Sequence, residues 1–126
     1  MQFKSMHIRG AGRGKNLGFP TINLEIPKTF DLEVGIYAVW VIIDKKKIPG
    51  AMHYGPIPSF GDLTNNLEIY ILDSSYRGSV ELIEKLITVS VVKRLRNIVK
   101  FDNILSLQTQ IKIDIAQVRN VLGIDT

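Results

Sequence analysis

Apolar residues either alternate with polar ones or form short continuous runs over the first ninety positions of the chain. The longest run, residues 34–43, is apolar on both faces, which is typical of a strand buried on both sides or curled into a barrel. The charged residues 44–47 that follow it predict a hairpin turn. Strands are therefore predicted over residues 34–43, 48–54, 67–73 and 86–92, with turn-rich loops between them.

The alternation is clearest in residues 67–73. One face of this strand would carry Leu67, Ile69 and Ile71, and the other would carry Glu68 and Tyr70. A carboxylate on a strand is held by a rigid element, which suits a chemical role. An ordinary solvated glutamate is the alternative, and the residue type alone favours that alternative.

The period of the pattern changes in the last quarter of the chain. Apolar residues three or four positions apart define a single helical stripe, which consists of Ile104, Leu107, Ile111, Ile115, Val118 and Leu122. Asn103 is suited to cap the start of this helix and Gly123 to end it, so a helix is predicted over residues 103–122. Strands followed by one helix indicate a mainly β protein, an antiparallel barrel packed by a C-terminal helix.

Composition and charge narrow the class of protein. The chain has 126 residues, 45% apolar and 22% charged, which favours one globular domain over residues 1–126. The absence of Cys excludes disulfides, thiolate metal sites and a Cys nucleophile. No apolar run could span a membrane and no signal-peptide pattern follows Met1, so we expect a cytoplasmic protein. A net charge of +4 and a pI of 9.4 suit an anionic ligand, either a nucleotide or nucleic acid.

Candidate chemistry is concentrated in residues 10–24, where four glycines and two cations precede a Phe-Pro-Thr-Ile-Asn sequence. Successive backbone N–H groups in such a loop can form a concavity that binds phosphate, and Arg13 and Lys15 add positive charge. Thr21 and Asn23 add neutral oxygen donors of the kind that Mg²⁺ accepts. The spacing fits neither a Walker A loop nor a dinucleotide fingerprint. On residue types alone, a different phosphate loop and a plain turn remain equally open.

Residues 12–24, Gly-Arg-Gly-Lys-Asn-Leu-Gly-Phe-Pro-Thr-Ile-Asn-Leu, resemble the signature of the ATP-dependent riboflavin kinase family. Further blocks similar to that family follow in the same order, at residues 35–41, 55–60, 67–73, 76–78, 95–96, 100–101 and 110–114. The resemblance covers nearly the whole chain. It implies a six-stranded antiparallel Greek-key barrel with a C-terminal helix. It also implies transfer of the γ-phosphate of ATP to the 5′-hydroxyl of riboflavin, giving FMN and ADP.

The resemblance also implies roles for individual residues. Glu68 matches the family's catalytic glutamate, which would orient the ribityl hydroxyl and accept its proton. Thr21 and Asn23 would ligate a Mg²⁺ ion that bridges the ATP phosphates. The nucleotide-binding residues would be Gly12, Arg13, Gly14, Lys15, Gly18, Pro20, Thr21 and Asn23. Arg96 and Phe101 would bind the flavin, and a surface ion pair with Asp102 is the alternative for Arg96.

Several positions depart from the family's pattern. Ile22 replaces a small residue and would either crowd the nucleotide or fill a gap in the core. His53 replaces an Asn, and the other departures lie near the expected ligand loops, at Tyr54, Ile57, Ser59, Ile98 and Val99. An inactive or weakly active barrel that binds flavin or nucleic acid is therefore the alternative, although interleaved aromatic residues for stacking bases are absent.

The family resemblance also gives expectations about partners and domains. ATP and riboflavin would be the substrates, neither nucleic acid nor a membrane is expected as a partner, and the protein would be a monomer. The first motif begins within a dozen residues of Met1. We therefore expect no adenylyltransferase domain of the kind that many bacterial members of the family carry.

Overall fold

The computed structural model describes residues 1–8, 18–19, 21–58, 61, 64–73 and 85–124. Within them are six strands and one long helix, which are β1 (Gln2–Ile8), β2 (Thr21–Leu24), β3 (Gly35–Ile43), β4 (Lys46–Gly55), β5 (Asn66–Ile71), β6 (Leu86–Arg96) and α1 (Ile104–Leu122). All strand pairs are antiparallel, and they close into a barrel in the order β1-β2-β5-β4-β3-β6. Three consecutive strands, β3 to β5, are followed by β6 returning beside β3, which is a Greek-key arrangement. The predicted fold is confirmed.

The barrel interior is one hydrophobic core. It contains every second residue of the long strands, including Val39, Val41, Met52, Ile69 and Val89, none of which has measurable exposure. Burying such a side chain contributes about 1.5–3 kcal/mol relative to leaving it in water. Tyr54 also belongs to this core, and Phe3 and Phe30 pack against it. The Phe30 ring makes edge-to-face contacts with both Phe3 and Tyr54 at 4.8 Å.

A second, smaller core lies between the outside of the barrel and α1. It consists of Ala38, Tyr70, Leu72 and Val118, with Ile115 and Leu122 packed against it. The C-terminal part of the predicted helical stripe is therefore confirmed. Its first member is not, because Ile104 is 57% exposed. The outward face of β5 is also less polar than its sequence indicates, since Tyr70 is buried beneath the helix.

The ends of α1 follow the sequence signals. Asn103 has an extended backbone, and its side-chain oxygen accepts a hydrogen bond from the Ser106 backbone N–H at 2.8 Å. At the other end, Gly123 adopts φ +71°, a left-handed conformation that glycine adopts without strain. Among the described residues, no helix combines the length and hydropathy that a membrane-crossing segment needs.

The sequence patterns did not predict strands β1 and β2. Within β1 the inward positions are Phe3, Ser5 and His7, so polar residues interrupt its apolar face. Only four residues long, β2 directly follows Pro20. Its two inward residues include Ile22, which is 2% exposed and belongs to the barrel core. Ile22 therefore fills the core and does not crowd a ligand on the outside of the barrel.

Candidate functional site

A row of outward-facing residues crosses five strands at one end of the barrel. Asn23 on β2 lies opposite Glu68 on β5, which lies opposite His53 on β4. The row continues through Ile36 on β3 to Arg96 at the end of β6. Because directly opposed residues of antiparallel strands have Cβ atoms about 4.5–5.5 Å apart, neighbouring members of the row are within reach of one another.

Thr21 lies on the same outward face as Asn23, two residues earlier along β2. It is opposite Tyr70, whose ring makes an edge-to-face contact with Phe19 at 5.8 Å. The alternation of β2 therefore turns both predicted metal ligands outward while Ile22 and Leu24 pack inside. As a result, Thr21, Asn23 and Glu68 occupy adjacent outward positions on two paired strands.

A cleft separates this outward face from α1. Its volume is about 130 Å³, roughly ten times the space that a single ordered water needs. The walls are mostly apolar and come from the barrel, residues 57–58, residues 98–101 and the helix. Six polar or partly polar residues also line it, namely Thr21, His53, Glu68, Tyr70, Arg96 and Asp114. Apolar walls with a few convergent polar groups are typical of a site for a small organic ligand.

Arg96 and Asp114 form a two-point ion pair across the inner wall of the cleft. The Arg96 Nε and Nη2 groups donate to the two carboxylate oxygens of Asp114 at 2.8 and 2.7 Å. Gln110 donates to the same carboxylate at 3.0 Å, and Arg96 Nη1 donates to the Asn97 carbonyl at 2.9 Å. Asp114, which is 4% exposed, is thus neutralised and hydrogen-bonded in its buried position. The partner of Arg96 is Asp114 rather than Asp102.

The irregular pairing of β3 with β6 sets the position of Arg96. The register shifts between Ile36 and Tyr37, so that Ile36 is opposite Arg96 while Tyr37 is opposite Arg94. The residue between the two arginines, Leu95, packs against the core beneath α1. Bulges of this kind redirect side chains at strand ends. Here the bulge places Arg96 at the cleft beside Asp114.

His53 forms the part of the cleft floor next to Glu68. Its Nε2 group lies 3.1 Å from the Gly55 carbonyl and 3.0 Å from the Pro56 carbonyl. Carbonyl oxygens only accept hydrogen bonds, so Nε2 carries the proton and donates. Burial lowers the pKa of His53 below its ordinary value of 6.5, the two carbonyls act in the opposite direction, and the positive charge of Arg96 lowers it further. The ring is therefore neutral at pH 7.

The lowered pKa of His53 predicts a loss of stability as the pH falls below about 6.5. The unfolded chain takes up a proton at this residue first, so between the unfolded and folded pKa values the unfolded state binds more protons and stability rises with pH. The contribution of His53 to the free energy of unfolding is fully present above pH 6.5. It amounts to about 1.4 kcal/mol for each unit by which the folded and unfolded pKa values differ. Urea unfolding of wild type and His53→Gln across this range measures it. The same dependence of the free energy of unfolding on pH in both proteins would contradict the prediction.

Some of the predicted site residues lie within the part of the chain that the structure describes, and the others lie outside it. Around the cleft it brings together Thr21, Asn23, Glu68, Arg96 and Phe101, with Asn23 beside Glu68 and the other four in the lining. Gly18 is left-handed at φ +86° with open space around it. The remaining predicted nucleotide-binding residues lie outside the described residues, namely Gly12, Arg13, Gly14, Lys15 and Pro20.

Sequence reasoning assigned no site role to His53 or to Asp114. The sequence does indicate that Asp114 is on the apolar face of the helix, because it falls three residues after Ile111 and four before Val118, both on the apolar stripe. A carboxylate on a buried helix face needs a partner, so a cationic partner could have been sought. His53 showed only that it departs from the family's pattern.

A metal at this site would depend on neutral oxygen donors. Among residues 1–8, 18–19, 21–58, 61, 64–73 and 85–124, no group of three His, Asp or Glu side chains could hold an ion. The Thr21 hydroxyl and the Asn23 amide oxygen are hard donors suited to Mg²⁺, which usually also takes phosphate oxygens and water. The donor set therefore fits Mg²⁺ carried by a nucleotide phosphate better than a free ion.

The family described as Flavokinase: Riboflavin kinase matches residues 1–122. The chain belongs to the riboflavin kinase family. The bifunctional riboflavin kinase/FMN adenylyltransferase of Escherichia coli (strain K12) is 29% identical over 118 residues, which cover 93% of this chain and 36% of that protein. The RNA-binding riboflavin kinase RibR of Bacillus subtilis (strain 168) is 34% identical over 110 residues, 86% of this chain and 46% of that protein.

The chain thus spans about a third to a half of the length of these curated relatives. A solved structure described as that of a macrolide-efflux protein from Streptococcus pneumoniae has a TM-score of 0.79 and 28% identity to it. That similarity covers 94% of this chain and 38% of the other, and it supports the barrel fold. The family match favours the kinase interpretation over a non-catalytic flavin-binding or nucleic-acid-binding barrel.

Proposed function

We propose that this domain phosphorylates riboflavin, transferring the γ-phosphate of ATP to the 5′-hydroxyl to give FMN and ADP. The observation that carries the proposal is the register of β2, β5 and β4. It puts two hard oxygen donors and one carboxylate side by side at an apolar cleft that leads to Arg96. Membership of the riboflavin kinase family supplies the class of reaction.

Glu68 is the residue that we assign to the proton transfer. In the reaction, the 5′-oxygen of riboflavin forms a bond to the γ-phosphorus, and the bond from that phosphorus to the oxygen bridging it to ADP breaks. The hydroxyl proton passes to the Glu68 carboxylate, and the electron pair of the broken bond leaves on ADP. Phosphoryl transfer depends mainly on positioning and charge stabilisation, so a carboxylate fixed on a strand beside the metal donors is well placed.

Thr21 and Asn23 would hold Mg²⁺ on the nucleotide phosphates. When bound, the ion would supply positive charge against the transferring phosphate group. Both donors are neutral, so they would leave the charge of the ion available to the phosphates. Their fixed spacing on β2, with the aliphatic side chain of Ile22 locked in the core between them, would orient the phosphate chain toward Glu68.

The apolar cleft would receive the isoalloxazine ring of riboflavin. Phe101, Ile98 and Ile111 line it together with Arg96, which presents the polar end of the cleft. An apolar slot of this kind suits the dimethylbenzene side of the ring, and the Arg96 N–H groups suit its oxygen-bearing side. Tight binding of the ring in the cleft would leave the ribityl chain to extend along the outward row toward Glu68.

Turnover of purified protein with riboflavin, ATP and Mg²⁺ tests the proposal directly. We expect FMN and ADP to form in equal amounts, separable by chromatography. A parallel mixture in which EDTA replaces Mg²⁺ should form little FMN. Binding of riboflavin with no FMN formed over many hours would reject the kinase assignment and favour a flavin-binding module.

The substitution Thr21→Ala should weaken nucleotide binding in the presence of Mg²⁺ by roughly tenfold, equivalent to about 1.4 kcal/mol. In EDTA the same substitution should have little effect, because the lost contact is to the ion. Calorimetric titration with ADP under both conditions measures the difference. Thr29→Ala is the matched control, since Thr29 is exposed and outside the cleft lining. A loss of affinity that is the same with and without Mg²⁺ would rule out metal ligation by Thr21.

A further inference from the structure

We propose that His53 is a positioning residue that fixes the wall of the flavin cleft through the carbonyls of Gly55 and Pro56. The cleft's role in binding flavin rests on the proposed function, whereas the fixing of the wall does not. Nothing in the motifs assigns a role to this histidine. The geometry that carries the proposal is one partly buried side-chain N–H group that lies within hydrogen-bond distance of two successive carbonyls at the end of β4.

The segment after β4 has few donors of its own. Residues 56–58 read Pro-Ile-Pro, so only Ile57 carries a backbone N–H. Gly55, the last residue of β4, has φ +135°, and a Cβ there would lie 3.1 Å from the Val34 Cβ. The chain therefore turns sharply in a crowded place, and a side-chain donor that holds two of its carbonyls restricts where the turn can lead.

That turn leads directly to the cleft. Ile57 and Pro58 line it, and a Cβ at Gly55 would lie 3.3 Å from the Ile98 side chain, another lining residue. A shift of the turn would consequently change the width of the apolar slot. Proline rings and one isoleucine give an apolar wall, so its position affects how closely a flat ring can pack.

His53 also lies next to the residue to which we assign proton transfer. On β5 its direct neighbour is Glu68, and on β3 it is Ile36. The charges that act on the pKa of His53 are those of Arg96 from β6, which lowers it, and Asp114 from α1, which raises it. The carboxylate of Glu68 is on the strand position that faces it. In its neutral state His53 donates to the two carbonyls of the turn without adding positive charge beside Glu68.

Three variants distinguish the effect of losing the donated hydrogen bond from the effect of changing side-chain packing. His53→Leu removes the donor, His53→Gln keeps an N–H group on a side chain of similar reach, and His7→Gln changes the other histidine of the chain as a control. The first measurement is ¹⁵N relaxation of the Ile57 amide by NMR, without any ligand. We expect its order parameter to fall from about 0.85, the value of rigid backbone, toward about 0.6 in His53→Leu and to stay close to wild type in the other two.

Riboflavin affinity, read from quenching of flavin fluorescence without ATP, is the second measurement. We expect the dissociation constant to rise at least tenfold in His53→Leu and less than threefold in His53→Gln. A folded His53→Leu protein with an unchanged Ile57 order parameter would overturn the proposal, as would a His53→Gln protein whose order parameter and riboflavin affinity fall as far as those of His53→Leu. If wild type binds no riboflavin, the proposed function fails, and the relaxation data still decide whether His53 fixes the turn.

Discussion

Substitution of Glu68 by Gln should lower kcat for FMN formation by roughly 10²–10⁴-fold, the usual contribution of a general base. Gln has nearly the same size and still accepts hydrogen bonds, but it carries no negative charge and almost no basicity. The ribityl hydroxyl would then have to lose its proton to water. Because the lost interaction belongs to the transition state, affinity for riboflavin should change little.

Single-turnover and steady-state assays, together with fluorescence titration of riboflavin, check this prediction. Glu25→Gln is the matched control, since Glu25 is exposed and directly follows β2. The folded state of the Glu68 variant should persist, because that side chain is only half-buried. A correctly folded Glu68→Gln protein with undiminished turnover would remove Glu68 from the mechanism and leave positioning and Mg²⁺ as the source of catalysis.

The second large effect is expected from Asp114→Asn, which should reduce the free energy of unfolding by about 3 kcal/mol. Asn can accept only one of the two hydrogen bonds that Arg96 donates, and its NH₂ group would face the guanidinium. The Arg96 charge would remain, largely out of water and without its counter-charge. Since single domains are stable by only about 5–15 kcal/mol, this loss is large enough to lower the unfolding temperature clearly.

Urea unfolding of wild type and three variants tests this prediction. Asp102→Asn is the control, since Asp102 is exposed and lies close in sequence to Arg96; it should change stability by less than about 0.5 kcal/mol. The double variant Arg96→Leu with Asp114→Leu should recover much of the stability, since apolar replacement of both members of a buried pair is often neutral. Equal destabilisation by the Asp102 and Asp114 substitutions would contradict the assigned pairing.

The strands that sequence predicted best are those whose inward faces are purely apolar. Leu67, Ile69 and Ile71 alternate without exception, and all three are buried inside the barrel. The inward face of β1 is interrupted instead by Ser5, which is buried and donates a hydrogen bond to the Glu25 carbonyl. A buried serine satisfied by a residue twenty positions away has no local signature, so no apolar period marked this strand.

In the site, too, features set by neighbouring residues in the sequence were predicted, whereas contacts between distant residues were not. That Glu68 faces away from Leu67 and Ile69 follows from alternation alone, and its candidate role came from family resemblance. The need of Asp114 for a cationic partner is visible in the sequence, but that this partner is Arg96 is not, because the pair joins a strand end to the middle of a helix through a bulge in β6. The position of His53 beside Glu68 likewise depends on strand register, which pairing across the barrel determines.

The alternation of β2 has a consequence for how this domain tolerates change. Sliding the strand by one position would bring Thr21 and Asn23 into the core and expel Ile22 and Leu24 to the outside. An insertion or deletion within β2 would therefore disrupt the barrel core and displace both predicted metal ligands together. The packing of Ile22 and Leu24 thus enforces the spacing of the outward side chains on which the proposed site depends.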